Sequence, residues 1–332
     1  MSVTTIIGGG AWGTALADHL ARHGHVTRLW AREEDVVASI NEGHVNDRFL
    51  AGVTLSPALL ADGHAGRAVA GADTVVLVQP SHAVRAVARS LRGSLQPSCT
   101  LIVATKGIEA TTLALMTDVV AEELPGHPLV ALSGPSFALE VARGQPTAIV
   151  AASADAHAGA GVQRLLSTRS FRVYTQHDVT GVEVGGALKN VMAVATGIVE
   201  GLGLGYNSRA ALITRGLAEM TRLGVALGAE PATFAGLAGM GDLVLTCTGS
   251  LSRNRAVGIA VGGGQTLEQA LAGKESVAEG VATTRSALAL ATRHGIEMPI
   301  VQTVHRVLFE GLPVREVISD LMSRELRTEV DA

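Results

Sequence analysis

A chain of 332 residues has room for about two domains of ordinary size. With 47% hydrophobic against 17% charged residues it can bury a sizeable core, which excludes wholesale disorder. A net charge of -4 argues against a general nucleic-acid partner, and two cysteines, Cys99 and Cys247, make neither a disulfide framework nor a zinc site.

Val3–Ile7 reads as a strand, followed by a glycine-rich turn and a helix over Thr14–His23 that ends at Gly24. Val26–Trp30 is a second strand. Thr74–Val78, Thr100–Ala104, Leu129–Leu132, Thr147–Ala151 and Phe171–Tyr174 have the short apolar character of further buried strands. Strands alternating with helical patterns predict a mostly parallel sheet covered by helices. The pattern changes after about Asp178. Val182–Val199, Ser208–Leu227, Arg253–Val261, Leu267–Leu271, Thr283–Arg293, Ile300–Glu310 and Pro313–Leu321 all read as helices. The expected fold is therefore α/β, with a Rossmann-type dinucleotide-binding domain at 1–180 and an all-helical substrate-binding and catalytic domain at 181–332.

The mean hydropathy of +0.33 raises the question of a membrane. The long run Leu124–Leu139, free of Asp, Glu, Lys and Arg, contains Pro125, Pro128 and Pro135 and is no span. No basic region precedes the first apolar run, so a cytoplasmic protein is expected.

Gly8, Gly10 and Gly13 follow a strand and open a helix in G-x-G-x-x-G spacing. The first glycine permits a tight turn, the second lets backbone approach a pyrophosphate, and the third lets helix pack on strand. The helix N-terminus adds free N–H groups and positive dipole. Past the second strand stand Arg32, suited to the 2′-phosphate of NADP, and Glu33, suited to the 2′-hydroxyl of NAD. Their order predicts use of both cofactors with a bias to NADPH.

Arginine has displaced lysine almost everywhere, leaving only Lys106, Lys189 and Lys274. Lys106 follows a strand, at the sheet edge where ligands bind, and so does the loop Ser133–Ala138. Lys189 sits on an Ala, Gly and Val helix with no charge nearer than Glu183 and Glu200. Burial there would lower its pKa and fit it for proton transfer near neutrality. Gly185 and Gly186 on the same helix permit close approach of another backbone or a ligand. From Gly239 to Arg255 runs a polar, Gly-rich loop that opens a helix, with Ser252 as N-cap and Arg253 and Asn254 placed to hold a phosphate.

In order, GGGAWGTALA at 8–17, ATKGIE at 104–109, LSGPSFALEVA at 132–142, GALKNVMAVATGI at 186–198, GMGDLVLTCTGSLSRNR at 239–255 and ESVAEGVATT at 275–284 resemble the bacterial-type NAD(P)-dependent glycerol-3-phosphate dehydrogenases. The resemblance implies reversible reduction of dihydroxyacetone phosphate to sn-glycerol 3-phosphate with NADH or NADPH, a step that supplies phospholipid synthesis. It implies Lys189 as the general acid/base. It implies substrate contacts at Lys106, Gly134, Ser136, Lys189, Asp242, Ser252, Arg253 and Asn254. It implies cofactor contacts at Gly8, Gly10, Ala11, Trp12, Gly13, Arg32, Phe49, Lys106, Ala138, Arg253, Val277 and Glu279, with Asn190 and Thr246 as supporting polar groups. No metal is expected, and a homodimer is left open. A related hydroxyacid dehydrogenase acting on a carboxylate, and a non-catalytic dinucleotide sensor, are the competing readings. The Ser252–Arg255 segment argues against the first, and the set of Lys106, Lys189 and Asp242 against the second.

Overall fold

The computed structural model describes residues 2–273, 278–317 and 328. Among the described residues eight strands form one sheet: β1 (Val3–Ile7), β2 (Val26–Trp30), β3 (Leu60–Asp62), β4 (Thr74–Leu77), β5 (Thr100–Val103), β6 (Leu129–Ser133), β7 (Thr147–Ala152) and β8 (Phe171–Gln176). Their order is β3-β2-β1-β4-β5-β6-β7-β8, and only β6 and β7 pair antiparallel. The order reverses between β1 and β4, which opens a crevice at the carboxyl ends of those strands. The N-terminal part is thus a Rossmann-like domain and the C-terminal part is helical.

The strands β1, β2 and β4 to β8 form where apolar patterning predicts them. β3 does not announce itself, because it is three residues long and its Leu60 is exposed. The first helix runs over Ala11–Arg22, three residues earlier than expected, because the third glycine of the turn lies inside its first turn. Of the expected helix Pro313–Leu321, 314–317 is helical, Pro313 stands just before it, and 318–321 lies outside the described residues.

The helical domain is organised around Val179–Gly201, in which every residue from Gly181 to Ile198 is buried. This helix is long and apolar enough to cross a membrane, yet 89% of its most apolar window lies inside the fold. Asp178 caps it. One carboxylate oxygen accepts from Gly181 N–H at 2.8 Å, and the other accepts from Glu230 N–H at 2.9 Å and the Thr233 hydroxyl at 2.6 Å. Helix Arg253–Gly262 packs on it backbone to backbone. A Cβ on Gly197 would collide with the Arg255 carbonyl oxygen, and one on Gly258 with that of Val194. This close crossing sets the start of the Arg253 helix beside the site.

Candidate active site

Four segments bring the site together: the loops after β5 and β6, the Val179–Gly201 helix, and the helix Asp242–Thr248. Sequence reading expects 239–252 as a loop, but Leu237–Gly241 is a π-helical turn running straight into Asp242–Thr248. Gly239 allows it, since a Cβ there would strike the Phe234 backbone. The consequence is that Asp242 sits on rigid backbone.

Asp242 is fully buried and takes both lysines. Its Oδ2 accepts from Lys106 Nζ at 2.5 Å and its Oδ1 from Lys189 Nζ at 2.6 Å. Lys189 also donates to Thr246 Oγ1 at 2.9 Å, and that hydroxyl donates to the Asp242 carbonyl at 2.6 Å. Lys106 donates further to the Gly134 carbonyl at 3.3 Å. Lys189 is 8% exposed and points inward, not along the surface. Burial drives its pKa down to about 8, against the pull of the Asp242 charge. Burial also pushes the Asp242 carboxyl up, but Lys106 and Lys189 outweigh it and hold the group below its ordinary value.

The two helix glycines are explained by this packing. A Cβ on Gly185 would stand 2.6 Å from the Ala238 carbonyl oxygen. One on Gly186 would stand 2.7 Å from Ser133 Oγ and 3.5 Å from Cγ and Cδ of Lys106. Glycine at 186 therefore makes room for Ser133 Oγ and leaves the Lys106 stem in ordinary contact with the helix. Gly134 turns at φ +137°, where a Cβ would stand 2.9 Å from the Ile149 α-carbon, and Ser136 Oγ donates to its carbonyl at 2.9 Å.

Ser252 caps the next helix, accepting from Arg255 N–H at 3.3 Å. Arg253, exposed at the first helical position, makes no hydrogen bond or ion pair through its guanidinium with any described residue. Asn254 is buried and partly committed. It donates to Asn190 Oδ1 at 2.9 Å and accepts from Gly280 N–H at 2.9 Å, which ties three helices together.

Across the crevice, Gly8 turns at φ +133°, and a Cβ on Gly13 would run into the Gly8 carbonyl oxygen. A Cβ on Gly10, by contrast, would meet no atom within 4 Å, and the Ala11 helix begins without a side-chain cap. Open space before uncapped N–H groups fits the pyrophosphate of a dinucleotide. Trp12 and Phe49 are partly buried against the core, with the Arg48 guanidinium 5.3 Å from the centre of the Phe49 ring. Ala138 opens the short helix Ala138–Ala142. Arg32 is 82% exposed and paired with Glu33 at 2.8 Å. Glu279 receives two hydrogen bonds from Ser81. Val277 lies outside the described residues. No group of three or more His, Cys, Asp or Glu that could hold a metal occurs among the described residues.

Sequence reasoning missed Asn46, which donates to the Gly9 carbonyl at 2.9 Å and to Thr14 Oγ1 at 2.8 Å and so fixes the glycine turn. It gave no sign because it acts only after a distant loop folds over. Gln79 was also missed, while Ser133 was named only as the start of the Ser133–Ala138 loop. Their side-chain polar atoms are buried at the ends of β4 and β6 without a hydrogen-bond partner among the described residues.

The family models for the N-terminus and the C-terminus of NAD-dependent glycerol-3-phosphate dehydrogenase match residues 3–159 and 178–319. The chain belongs to this family. Relatives named glycerol-3-phosphate dehydrogenase [NAD(P)+] include one from Geobacter sulfurreducens, 55% identical over 98% of both chains, and one from Syntrophotalea carbinolica, 51% identical over 98% of this chain and 99% of the other. The crystal structure of a glycerol-3-phosphate dehydrogenase from Coxiella burnetii superposes with a TM-score of 0.94 at 40% identity, covering 97% of this chain and 99% of that one. Family membership makes the chain an NAD(P)-dependent oxidoreductase.

Proposed function

We propose that the chain reversibly reduces dihydroxyacetone phosphate to sn-glycerol 3-phosphate with Lys189 as the proton donor. The observation that carries this is the buried Lys189–Asp242–Lys106 cluster at the carboxyl ends of the strands. A reduced nicotinamide held in this crevice would supply the hydride for C2 of the ketone. Negative charge then grows on the C2 oxygen. The Lys189 ammonium, mostly protonated at neutral pH with its pKa near 8, donates its proton there. Lys106 adds positive field, and Asp242 holds both amines in place. Arg253 grips the phosphate, with the start of the Ser252-capped helix and the free amide hydrogen of Asn254. Gly134 and Ser136 line the substrate side, with Asn190 and Thr246 supporting.

Gly8, Gly10, Ala11, Trp12 and Gly13 hold the dinucleotide phosphates. Arg32 and Phe49 meet the adenosine end, and Lys106, Ala138, Arg253 and Glu279 the nicotinamide side, while Val277 is a cofactor contact by family resemblance alone. Both cofactors are used, with NADPH favoured through Arg32. The domains divide at 180/181, and the enzyme works in the cytoplasm, upstream of phospholipid synthesis. The reading includes a homodimer, testable by sedimentation.

The test is a panel of ketone substrates with NADH and NADPH, followed by loss of the reduced nicotinamide absorbance. Dihydroxyacetone phosphate is turned over, and 2-oxo acids and unphosphorylated dihydroxyacetone are poor. Preference for a carboxylate substrate would overturn the reading.

A further inference from the structure

The loop after β4 carries polar groups that the reaction has not used. It lies directly on the glycine turn, since a Cβ on Gly8 would stand 2.9 Å from the Val78 carbonyl oxygen and 3.5 Å from the Gln79 nitrogen. This loop therefore walls the crevice where the strand order reverses. Ser81 on it is 7% exposed and spends both of its donors on one carboxylate of the helical domain. Its N–H donates to Glu279 Oε1 at 3.3 Å and its hydroxyl to Oε2 at 2.8 Å. Gly107, the residue after Lys106, backs it from the other side at φ +157°. A Cβ on Gly107 would stand 2.6 Å from Ser81 Cβ, 2.9 Å from its Oγ and 3.7 Å from Glu279 Oε2. Three segments thus meet at one hydroxyl: the β4 loop, the loop that carries Lys106, and the first turn of helix Glu279–Arg293.

We propose that Ser81 is a positioning residue for the cofactor, aiming the Glu279 carboxylate at the hydrogen-bond donors of the nicotinamide nucleoside. This rests on the dinucleotide reading above and deepens it. A carboxylate beside a pyrophosphate is repelled, so it helps binding only by meeting donors, which the ribose hydroxyls and the carboxamide N–H supply. Two donors from one side fix its direction and leave lone pairs free for the crevice. They also favour its ionised form. Burial holds the Glu279 pKa above its ordinary value, and the Ser81 hydrogen bonds, with His82 and Arg253 nearby, offset part of that rise.

Ser81→Ala, Glu279→Gln and the double variant of the full chain test this, with dissociation constants for NADH and NADPH measured by nicotinamide fluorescence across pH. Ser81→Ala weakens cofactor binding about tenfold, in line with loss of one hydrogen bond to a charged group, and the loss falls on cofactor affinity more than on kcat. The pH below which cofactor affinity falls moves upward, because the carboxyl protonates more readily. In the Glu279→Gln background Ser81→Ala adds little, since its action runs through that carboxylate. Additive losses in the double variant, or a Ser81→Ala enzyme with unchanged affinity and pH profile, overturn the role of Ser81. Failure of the parent enzyme to bind either cofactor would instead sink the dinucleotide reading itself.

Discussion

Replacing Asp242 by Asn removes one negative charge from between two ammonium groups and leaves the shape of the site almost unchanged. Asp242 is fully buried, and each of its oxygens takes a charged hydrogen bond, at 2.5 and 2.6 Å. Taking one partner out of a buried ion pair costs about 3–5 kcal/mol. The amide keeps one carbonyl acceptor, so the lower end applies. With about 1.4 kcal/mol to each tenfold in the protonation equilibrium, the Lys189 amine should release its proton about two pH units lower than in the parent. The parent amine titrates near 8. In the reducing direction Lys189 must start protonated, so activity is full below that pKa and falls as pH rises through it. In Asp242→Asn the fall should already be well advanced at neutral pH, where protonation alone costs about tenfold. Displacement of the two amines raises the total to about 10²–10³. The assay is kcat for dihydroxyacetone phosphate reduction at saturating cofactor against pH, with thermal melting as a check on folding. A folded variant whose alkaline limb stays in place, or moves upward, refutes the electrostatic role of Asp242.

At saturating cofactor Arg253→Ala should lower kcat/KM for dihydroxyacetone phosphate by about 10–150-fold, the range for charged hydrogen bonds, and barely touch slow reduction of unphosphorylated dihydroxyacetone. Equal losses on both substrates under that condition would remove Arg253 from the substrate phosphate. Arg32→Ala should raise KM for NADPH more than for NADH. The existing pair with Glu33 and the high exposure hold the effect to about 1–2 kcal/mol. Equal weakening of the two cofactors would remove the basis for an NADPH bias.

Much of the fold is written in local patterning. The buried strands of the central sheet need apolar runs over several residues, and those are visible. β3 is not, because three residues with an exposed Leu60 carry no period. The retained lysines mark the site well, since an amine held on an apolar helix calls for a reason. What sequence could not show is the partner geometry. Asp242 meets Lys106 across 136 residues and Lys189 across 53, through helices whose crossing depends on glycines that accept backbone contact. The Gly239 segment misled because glycine and polar residues suggest a loop, while tertiary packing against Phe234 makes it helical. Asn46 and Ser81 act through burial and distant partners, which no local spacing encodes.

Lys189→Ala addresses the proton-transfer step itself. Its kcat for dihydroxyacetone phosphate reduction should fall by about 10²–10⁴-fold, with NADH and NADPH dissociation constants nearly unchanged. Small primary amines added to the buffer should restore part of the lost rate, in proportion to their protonated form. A folded Lys189→Ala enzyme that keeps more than half of the parent kcat, or one that amines leave unrescued while cofactor binding is lost, contradicts Lys189 as the proton donor.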